Sequence, residues 1–291
     1  MMRKKPMLAY PVSDKPIDYT NKVSMQPKLD GVRCLIQYEQ VNLDFNTKLN
    51  SGYEVKAYSR TGKQWLNIDH ILQSLKPFFE ANPDVILDGE LYNHALRDDF
   101  EKIISCVRKQ KPTDVDRAES RRLVQFHCYD IVDENMKYHD RSLFLVSNLK
   151  ASGCIKFLPP INVDCEERAK LYHQDNLGAG YEGSILRLND VYKCGRSWSL
   201  RKFKDFHDAE AVLTDWVEGK GKRKGTIGKF MAIDADGNTF GMPVMDNFKK
   251  LQTMFKEMQG WVGKEATFTY FERTKAGSYR HPLFKAIRDY E

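Results

Sequence analysis

The segment 28–33, Lys-Leu-Asp-Gly-Val-Arg, constrains this chain more than any other stretch of its sequence. A carboxylate and a glycine follow the lysine, and the segment leads into 34–38, a run that is typical of a β-strand. A lysine in water has a pKa of about 10.4 and is a poor nucleophile at neutral pH. A partly desolvated pocket or neighbouring cations lower such a pKa, and a covalent lysine intermediate then becomes possible. By itself the pattern is more typical of an ordinary turn, so the choice depends on the rest of the chain.

Length and charge narrow the class of protein. The chain has 291 residues, which favours about two domains. Its formal net charge is +6, and cations are concentrated at 117–122, 196–204 and 220–224. One such cluster is usually a solvated face, but three clusters beside chemically suggestive segments favour a polyanionic partner. The sequence shows no signal-peptide pattern and no membrane-spanning apolar run, so we expect a cytoplasmic protein without a membrane partner.

Residues 1–204 alternate strand-like and helical patterns without a steady βαβ repeat. This mixture favours an α+β fold with largely antiparallel sheets. Several predicted strands end in polar or charged residues, so we expect the strand ends to open onto a shared cleft. The predicted strands are 31–38, 54–59, 85–91, 123–131 and 183–188, and the predicted helices are 70–81, 99–108, 143–151 and 166–177.

The pattern changes after Lys204, where short strands become dense. Asp236-Gly237-Asn238 is a strong signal for a hairpin turn. Several short strands and one helix in so short a stretch are typical of a small barrel such as an OB-fold. We therefore predict two domains, 1–204 and 205–291. The predicted strands are 209–217, 229–234, 239–244, 265–272 and 284–287, with a helix at 246–258.

Six different short motifs follow one another along the chain, and together they resemble those of a known family. They are 28–33 (Lys-Leu-Asp-Gly-Val-Arg), 59–62 (Ser-Arg-Thr-Gly), 87–91 (Leu-Asp-Gly-Glu-Leu), 129–131 (Tyr-Asp-Ile), 182–187 (Glu-Gly-Ser-Ile-Leu-Arg) and 200–204 (Leu-Arg-Lys-Phe-Lys). In this order they resemble the covalent nucleotidyltransferase superfamily of ATP-dependent DNA ligases, RNA ligases and mRNA capping enzymes. Segment 280–284 (Arg-His-Pro-Leu-Phe) also resembles the end of the OB domain in small phage DNA ligases.

The resemblance implies the fold and the chemistry. The fold would be a nucleotidyltransferase (adenylation) domain followed by an OB-fold barrel, as in a minimal phage or viral ATP-dependent DNA ligase. Lys28 would attack the α-phosphorus of ATP, form lysyl-AMP and release pyrophosphate. Lys202 and Lys204, at alternate positions of a strand, would share one face and grip the α-phosphate as catalytic residues.

Further residues would bind the nucleotide and a metal ion. The resemblance places Glu90 at a ribose hydroxyl, Tyr129 on the adenine ring and Gln26 near the base edge, with Arg33 at a phosphate. The predicted oxygen ligands of Mg²⁺ are Asp30 and Glu182.

The expected partner is nicked duplex DNA, bound by a monomeric enzyme. Arg60 would hold the 5′-phosphate end, and the basic loop Lys220, Lys222, Arg223 and Lys224 would add sequence-independent, salt-dependent affinity. The barrel has little room for a long latch between its first two strands, so we expect contact through surface charge and not full encirclement. Arg280 is a candidate contact to pyrophosphate, whereas His281, beside a proline, is interpreted as structural.

Other functions remain open on the sequence. An RNA ligase shares the chemistry, although the C-terminal segment favours a DNA ligase. A capping guanylyltransferase would need an Arg-x-Asp-Lys element that the sequence lacks. A non-catalytic nucleic-acid-binding protein would have kept the barrel and lost the catalytic residues. Against this alternative, the catalytic set is intact: Lys28, Glu182, Lys202 and Lys204.

Overall fold

The computed structural model describes residues 4–42, 51–203, 207–270, 272–273 and 277–288. The chain divides into two compact units, Met1–Phe203 and Lys204–Glu291. The boundary predicted from the sequence differs from this division by a single position. Each unit has a hydrophobic core of its own.

The described part of the first unit contains two five-stranded sheets, ordered β1-β10-β9-β2-β8 and β4-β3-β5-β6-β7. Neighbouring strands are antiparallel except in the pairs β1–β10 and β6–β7. This arrangement confirms the predicted α+β class with largely antiparallel sheets. The strands are β1 (Met7–Pro11), β2 (Val23–Lys28), β3 (Val32–Asn42), β4 (Ser51–Tyr58), β5 (Ile86–Tyr92), β6 (Gln125–Ile131), β7 (Ile155–Phe157), β8 (Ile161–Val163), β9 (Gly183–Arg187) and β10 (Gly195–Phe203). The helices are α1 (Asp69–Ala81), α2 (Phe100–Val107), α3 (Asp114–Leu123), α4 (Tyr138–Asn148) and α5 (Glu166–Gly178).

The main core of this unit joins one face of the second sheet to helices α1 and α2. Phe79 of α1 and Ile103 of α2 belong to the same buried cluster as Leu87 and Leu91 of β5. Full burial of such side chains contributes roughly 1.5–3 kcal/mol each. The core therefore fixes β5, which carries one of the sequence motifs at its centre.

Helix α3 was not predicted from the sequence, and only its last residue, Leu123, falls within the predicted strand 123–131. Its N-terminus is held by a capping box in which Thr113 and Asp116 each accept a hydrogen bond from the other's backbone N–H. A capping box satisfies two N–H groups that the first helical turn leaves unpaired. The helix is polar and buries only Ser120, so hydrophobic periodicity gave no signal for it.

The second unit is built on one antiparallel sheet ordered β13-β12-β11-β14-β17. Residues of the two end strands, β13 and β17, approach within 8 Å, so the sheet curls toward a barrel. Gly237 has a φ of 82° in the turn between β12 and β13, which confirms the predicted hairpin. The elements are β11 (His207–Glu218), β12 (Ile227–Ile233), β13 (Thr239–Pro243), α6 (Phe248–Glu257), β14 (Glu265–Tyr270), β15 (Glu272–Arg273), β16 (Tyr279–Arg280) and β17 (Leu283–Ile287).

Two further observations concern the expected absence of a long latch and of a membrane-spanning segment. The connection between β11 and β12 spans 219–226, which is too short for a long latch. In the described parts of the chain, no helix combines the length and the apolar character needed to cross a membrane.

Candidate active site of the first unit

Lys28 and Glu182 meet where the end of β2 lies beside the start of β9, two neighbouring interior strands of the first sheet. Lys28 is the last residue of β2, and its register partner in β9 is Gly183, the residue after Glu182. The Glu182 N–H donates to the Lys28 carbonyl over 3.1 Å, and the Lys28 Nζ contacts Oε2 of Glu182. The Lys28 side chain is 21% exposed and that of Glu182 is 5% exposed. The amine is thus partly desolvated, next to a carboxylate, and still accessible to a substrate.

Two glycines allow neighbouring motifs to approach this pair. A Cβ at Gly31 would lie 2.6 Å from the Leu91 carbonyl oxygen and 2.7 Å from Cγ of Glu90. Gly183 has a φ of 148°, and a Cβ there would lie 2.4 Å from the Phe203 carbonyl oxygen. All three distances are shorter than real contacts of a Cβ atom, so a larger residue would push the strands apart. The glycines therefore bring Glu90 and the residue after Lys202 towards Lys28 and Glu182.

Lys202 lies in β10, with Ile185 of β9 as its register partner. Burial and the positive charges of Lys28 and Arg196 lower the pKa of Lys202, while Glu182 acts in the opposite direction. Cations from different strands thus gather around one carboxylate, an arrangement suited to a phosphate group. Lys204, predicted to act with Lys202, lies outside the described residues.

Glu90 and Tyr129 form the opposite side of this region, on β5 and β6. Burial raises the pKa of Glu90 to about 7, although the charges of Arg33 and Lys28 act in the opposite direction. The Tyr129 hydroxyl lies 3.1 Å from Oε2 of Glu90. The Tyr129 ring is buried, and the Cζ atoms of Arg33 and Arg187 lie 5.2 and 5.3 Å from its centroid. The predicted contact between this ring and adenine stays a prediction.

The sequence had assigned Arg33 to a phosphate, but in this structure its guanidinium binds Asp88. The Arg33 Nε donates to Oδ1 over 2.6 Å and Nη2 donates to Oδ2 over 2.5 Å. Asp88 is fully buried and also accepts from the Tyr192 hydroxyl over 2.7 Å. A buried carboxylate needs such partners because an unpaired charge is costly there. The observed role of Arg33 is therefore to pair with Asp88, and its role at a phosphate stays a prediction.

A second buried network links the two sheets. The Asp130 carboxylate on β6 accepts from Arg141 over 2.7 Å and from Arg187 of β9 over 2.8 Å. The Arg187 Nε also donates to Oε1 of Gln26 over 2.9 Å, and the Gln26 amide nitrogen donates to the Leu158 carbonyl over 2.5 Å. Gln26 is buried and held at both ends. Its predicted contact to a base edge stays a prediction.

Sequence reasoning missed His94, which links Tyr92 at the end of β5 to the segment 179–181 just before Glu182. Its Nδ1 lies 2.8 Å from the Tyr92 hydroxyl, and its Nε2 lies 3.1 Å from the Ala179 carbonyl. A carbonyl can only accept, so Nε2 carries the proton and Nδ1 accepts from the tyrosine. The ring also packs 4.4 Å from that of Tyr181. A lone histidine outside any motif gave no signal in the sequence.

The predicted DNA-binding residues are all exposed. Arg60 lies in a turn closed by hydrogen bonds from Gly62 and Lys63 to Ser59. In the second unit, the loop 219–226 contains a short 3-10 turn, Gly221–Arg223, and Glu218 accepts from the Gly225 N–H over 2.7 Å. This loop presents the side chains of Lys220, Lys222, Arg223 and Lys224 to solvent.

Comparisons with known proteins agree with this geometry. Residues 6–204 match the family model described as the ATP dependent DNA ligase domain. A DNA ligase of African swine fever virus (isolate Tick/South Africa/Pretoriuskop Pr4/1996) is 32% identical over 183 residues, which are 60% of this chain and 42% of the viral protein. A DNA ligase of Archaeoglobus fulgidus is 25% identical over 213 residues, or 66% of this chain and 34% of that protein. The chain therefore spans less than half the length of these relatives.

Among solved structures, the fold matches a protein from a study of Lig E DNA ligases that concerns DNA binding with a minimal scaffold. The TM-score is 0.74 at 23% identity, and the match covers 99% of this chain and 100% of the other. Both units of the chain thus follow a known architecture.

Proposed function

Because this chain belongs to the ATP-dependent DNA ligase family, we propose that it seals nicks in duplex DNA through an AMP group carried on Lys28. The observation that carries the proposal is the placement of Lys28 beside Glu182, with the cation of Lys202 close enough to interact with both. The viral and archaeal relatives are named DNA ligases. DNA is also a polyanion, the kind of partner that the charge clusters favour.

The proposed reaction has three steps. In the first, the neutral Nζ of Lys28 attacks the α-phosphorus of ATP, a P–N bond forms, the bond to pyrophosphate breaks and Nζ releases a proton. In the second, a 5′-phosphate oxygen at the nick displaces Lys28 and takes the AMP. In the third, the 3′-hydroxyl attacks that phosphate, AMP leaves and the hydroxyl proton is released. In all three, Lys202 and Lys204 would stabilise the charge that develops on the phosphate.

Carboxylates near Lys28 suit Mg²⁺, which prefers oxygen ligands. Among the described residues no group of three or more His, Cys, Asp or Glu side chains could hold a metal. Mg²⁺ commonly binds through one or two carboxylates together with substrate phosphates, and Glu182 with Asp30 fits that pattern. When bound, the ion would neutralise charge on the phosphates.

The remaining roles belong to the same proposal. Glu90 binds a ribose hydroxyl, Tyr129 contacts adenine with Gln26 at the base edge, Arg33 or Arg60 holds a phosphate, and the basic loop 220–224 contacts the DNA backbone. We also propose a monomeric enzyme in the cytoplasm, or in that of a host cell, and contact with DNA through surface charge. A footprint that protects the whole circumference of the duplex would contradict the last point.

The decisive experiment incubates the protein with α-labelled ATP and Mg²⁺ in the absence of DNA. We expect a labelled protein adduct from the wild type and from Lys170→Ala, a matched exposed lysine on α5, and none from Lys28→Ala. An adduct on the Lys28 variant, or none on the wild type, refutes the mechanism. Sealing of nicked DNA against nicked RNA then decides between the two ligase classes, and better sealing of RNA would favour the RNA ligase.

A further inference from the structure

The buried face of helix α5 is polar in its C-terminal half. His173 and Asn176 are three residues apart on this helix, and both side chains are buried. Residues at this spacing lie on the same face of a helix. Core positions are usually apolar, because a buried polar group costs free energy unless it is hydrogen-bonded. We therefore looked for the partner that these two side chains share.

The shared partner is the hydroxyl of Ser184 in β9. The Asn176 Nδ2 donates to Oγ of Ser184 over 2.8 Å, and the His173 Nδ1 lies 3.2 Å from the same oxygen. Ser184 is fully buried. A serine hydroxyl has one proton and two lone pairs, so it can bind both side chains at once. We call His173, Asn176 and Ser184 the α5 cluster.

Asn176 also binds the chain on the other side of Glu182. Its carbonyl accepts from the Tyr181 N–H over 2.9 Å, while its side chain binds Ser184. One residue of α5 therefore fixes the position before Glu182 through the backbone and the second position after it through a side chain.

The segment that carries Glu182 contains glycines on both sides. Gly180 has a φ of 83° and Gly183 has a φ of 148°, conformations that other residues rarely adopt. Glycine has more backbone freedom than other residues, so the segment needs contacts from elsewhere to keep one conformation. The hydrogen bonds of Asn176 supply such contacts at Tyr181 and Ser184.

The α5 cluster lies behind the candidate active site, on the other face of the first sheet. The register partners of Ser184 are Pro27 in β2 and Phe203 in β10. The neighbours of these partners along the strands are Lys28 and Lys202. Successive side chains of a strand point to opposite faces, so both lysines point away from the Ser184 hydroxyl. The cluster can therefore act on the site only through the strands.

We propose that the α5 cluster positions Glu182 against Lys28 for the formation of lysyl-AMP. This inference rests on the proposed function and deepens it, because it assigns positioning residues that do not touch ATP. Loss of the cluster should slow transfer of AMP to Lys28 more than it weakens nucleotide binding. The reason is that Glu90 and Tyr129, the proposed contacts of the nucleoside, lie on the second sheet.

The test compares Ser184→Ala, Asn176→Ala and the double variant with the wild type. Ser120→Ala is the matched control, because Ser120 is also fully buried and its hydroxyl donates to the Asn67 carbonyl. The rate of lysyl-AMP formation in a single turnover at saturating ATP is measured together with the KM for ATP. Melting temperatures report stability. Hydrogen exchange of the peptide 179–185, followed by mass spectrometry, reports the local order around Glu182 without any reaction.

For Ser184→Ala and Asn176→Ala we expect the rate to fall about 10- to 100-fold and the KM for ATP to change less than about 3-fold. The double variant should be no slower than the slower single variant, because both substitutions remove the same contact. Exchange of the peptide 179–185 should be about 10-fold faster in Ser184→Ala than in the control. The control should lose about 2–12 °C in melting temperature, as Ser184→Ala does, at an unchanged rate.

Three results would overturn the inference. A rate for Ser184→Ala equal to that of the control would reduce the cluster to a structural role. A rise in the KM for ATP as large as the fall in rate would assign the cluster to nucleotide binding. Losses that multiply in the double variant would show that Asn176 and Ser184 act separately.

Failure of the proposed function is distinguishable from failure of this inference. In the first case the wild type forms no lysyl-AMP, whatever the exchange data show. In the second case the wild type forms lysyl-AMP, and the peptide 179–185 exchanges equally fast in Ser184→Ala and in Ser120→Ala.

Discussion

Replacing Asp130 by asparagine tests whether the buried network holds the two sheets of the first unit together. Asp130 is completely buried, and its carboxylate accepts from Arg141 over 2.7 and 3.1 Å and from Arg187 over 2.8 Å. Asparagine keeps the size of the side chain but removes its charge and places an NH₂ group where an acceptor stood. Two buried guanidinium groups would then lack a counter-ion.

Removing one partner of a buried ion pair costs about 3–5 kcal/mol. In a domain of this size each kcal/mol lowers the melting temperature by roughly 2–4 °C. We therefore expect the melting temperature of the first unit to fall by about 6–20 °C. The control is Glu166→Gln, which breaks a pair with Lys170 whose side chains are 61% and 67% exposed. Such surface pairs contribute at most about 1 kcal/mol, so a shift of no more than about 4 °C is expected.

Differential scanning calorimetry of the whole chain measures both variants. The combination of Asp130→Asn with Arg187→Met supplies a second measurement, because removing one of the stranded cations should recover part of the loss. A coupling free energy above about 1 kcal/mol is expected for residues in direct contact. An Asp130→Asn shift no larger than that of the control would refute the claim that this network stabilises the packing of the sheets.

Three further predictions concern Glu90, His94 and the basic loop of the second unit. Burial raises the pKa of Glu90 to about 7, above its ordinary value of 4.5, so the native state holds a proton that the unfolded chain releases. Stability should fall as the pH rises from about 4.5 to 7, and Glu90→Gln should lose this part of the fall in urea titrations at several pH values. His94→Ala should slow lysyl-AMP formation about 10- to 100-fold at an unchanged melting temperature, because the segment before Glu182 loses a hydrogen bond and shifts. His94→Gln should restore part of this rate. Changing Lys222 and Lys224 to alanine should reduce the salt slope of DNA binding by about 1.8, as measured by anisotropy.

Each of these has a contrary outcome. The Glu90 prediction fails when the glutamine variant keeps the full pH dependence of the wild type. An unchanged rate of lysyl-AMP formation in His94→Ala would show that the hydrogen bonds of His94 do not position Glu182. A salt slope equal to that of the wild type would remove the loop 220–224 from the DNA contact.

The class of fold and the motif positions could be predicted because local signals agreed with the tertiary structure. Strand β5 begins with the apolar residues Ile86 and Leu87 and ends with Leu91 and Tyr92, and the turn at Gly237 needs a positive φ that glycine adopts readily. Strand β2 was missed and Lys28 was assigned to a turn, because β2 is short and has a proline just before the lysine. What makes 23–28 a strand is its pairing with β8 and β9, which are distant in sequence.

The partners of the site residues could not be predicted in the same way. Asp88, Asp130 and Arg187 stood in the motifs, but their partners are distant in sequence. The pair of Asp130 with Arg187 depends on how two sheets face each other, whereas Asp88 pairs with Arg33 of the neighbouring strand β3. A charged residue inside an apolar strand was the available signal. It indicates that a partner exists without identifying it, because the partner comes from a strand that is distant in sequence.

The buried ion pairs contribute more to the orientation of the strands than to the stability of the fold. Well-packed apolar residues of similar volume are often as stable as buried ion pairs, or more so. Apolar packing is non-directional, however, whereas Arg187 is bound at once to Asp130 and to Gln26, which lies two residues before Lys28. Arg33 likewise binds Asp88 within its own sheet and donates to the Met7 carbonyl of β1, in the first sheet, over 3.2 Å. These directional contacts fix the orientation of the sheet that carries Lys28 relative to the sheet that carries Glu90. Nucleotide transfer requires that fixed geometry more than it requires additional stability.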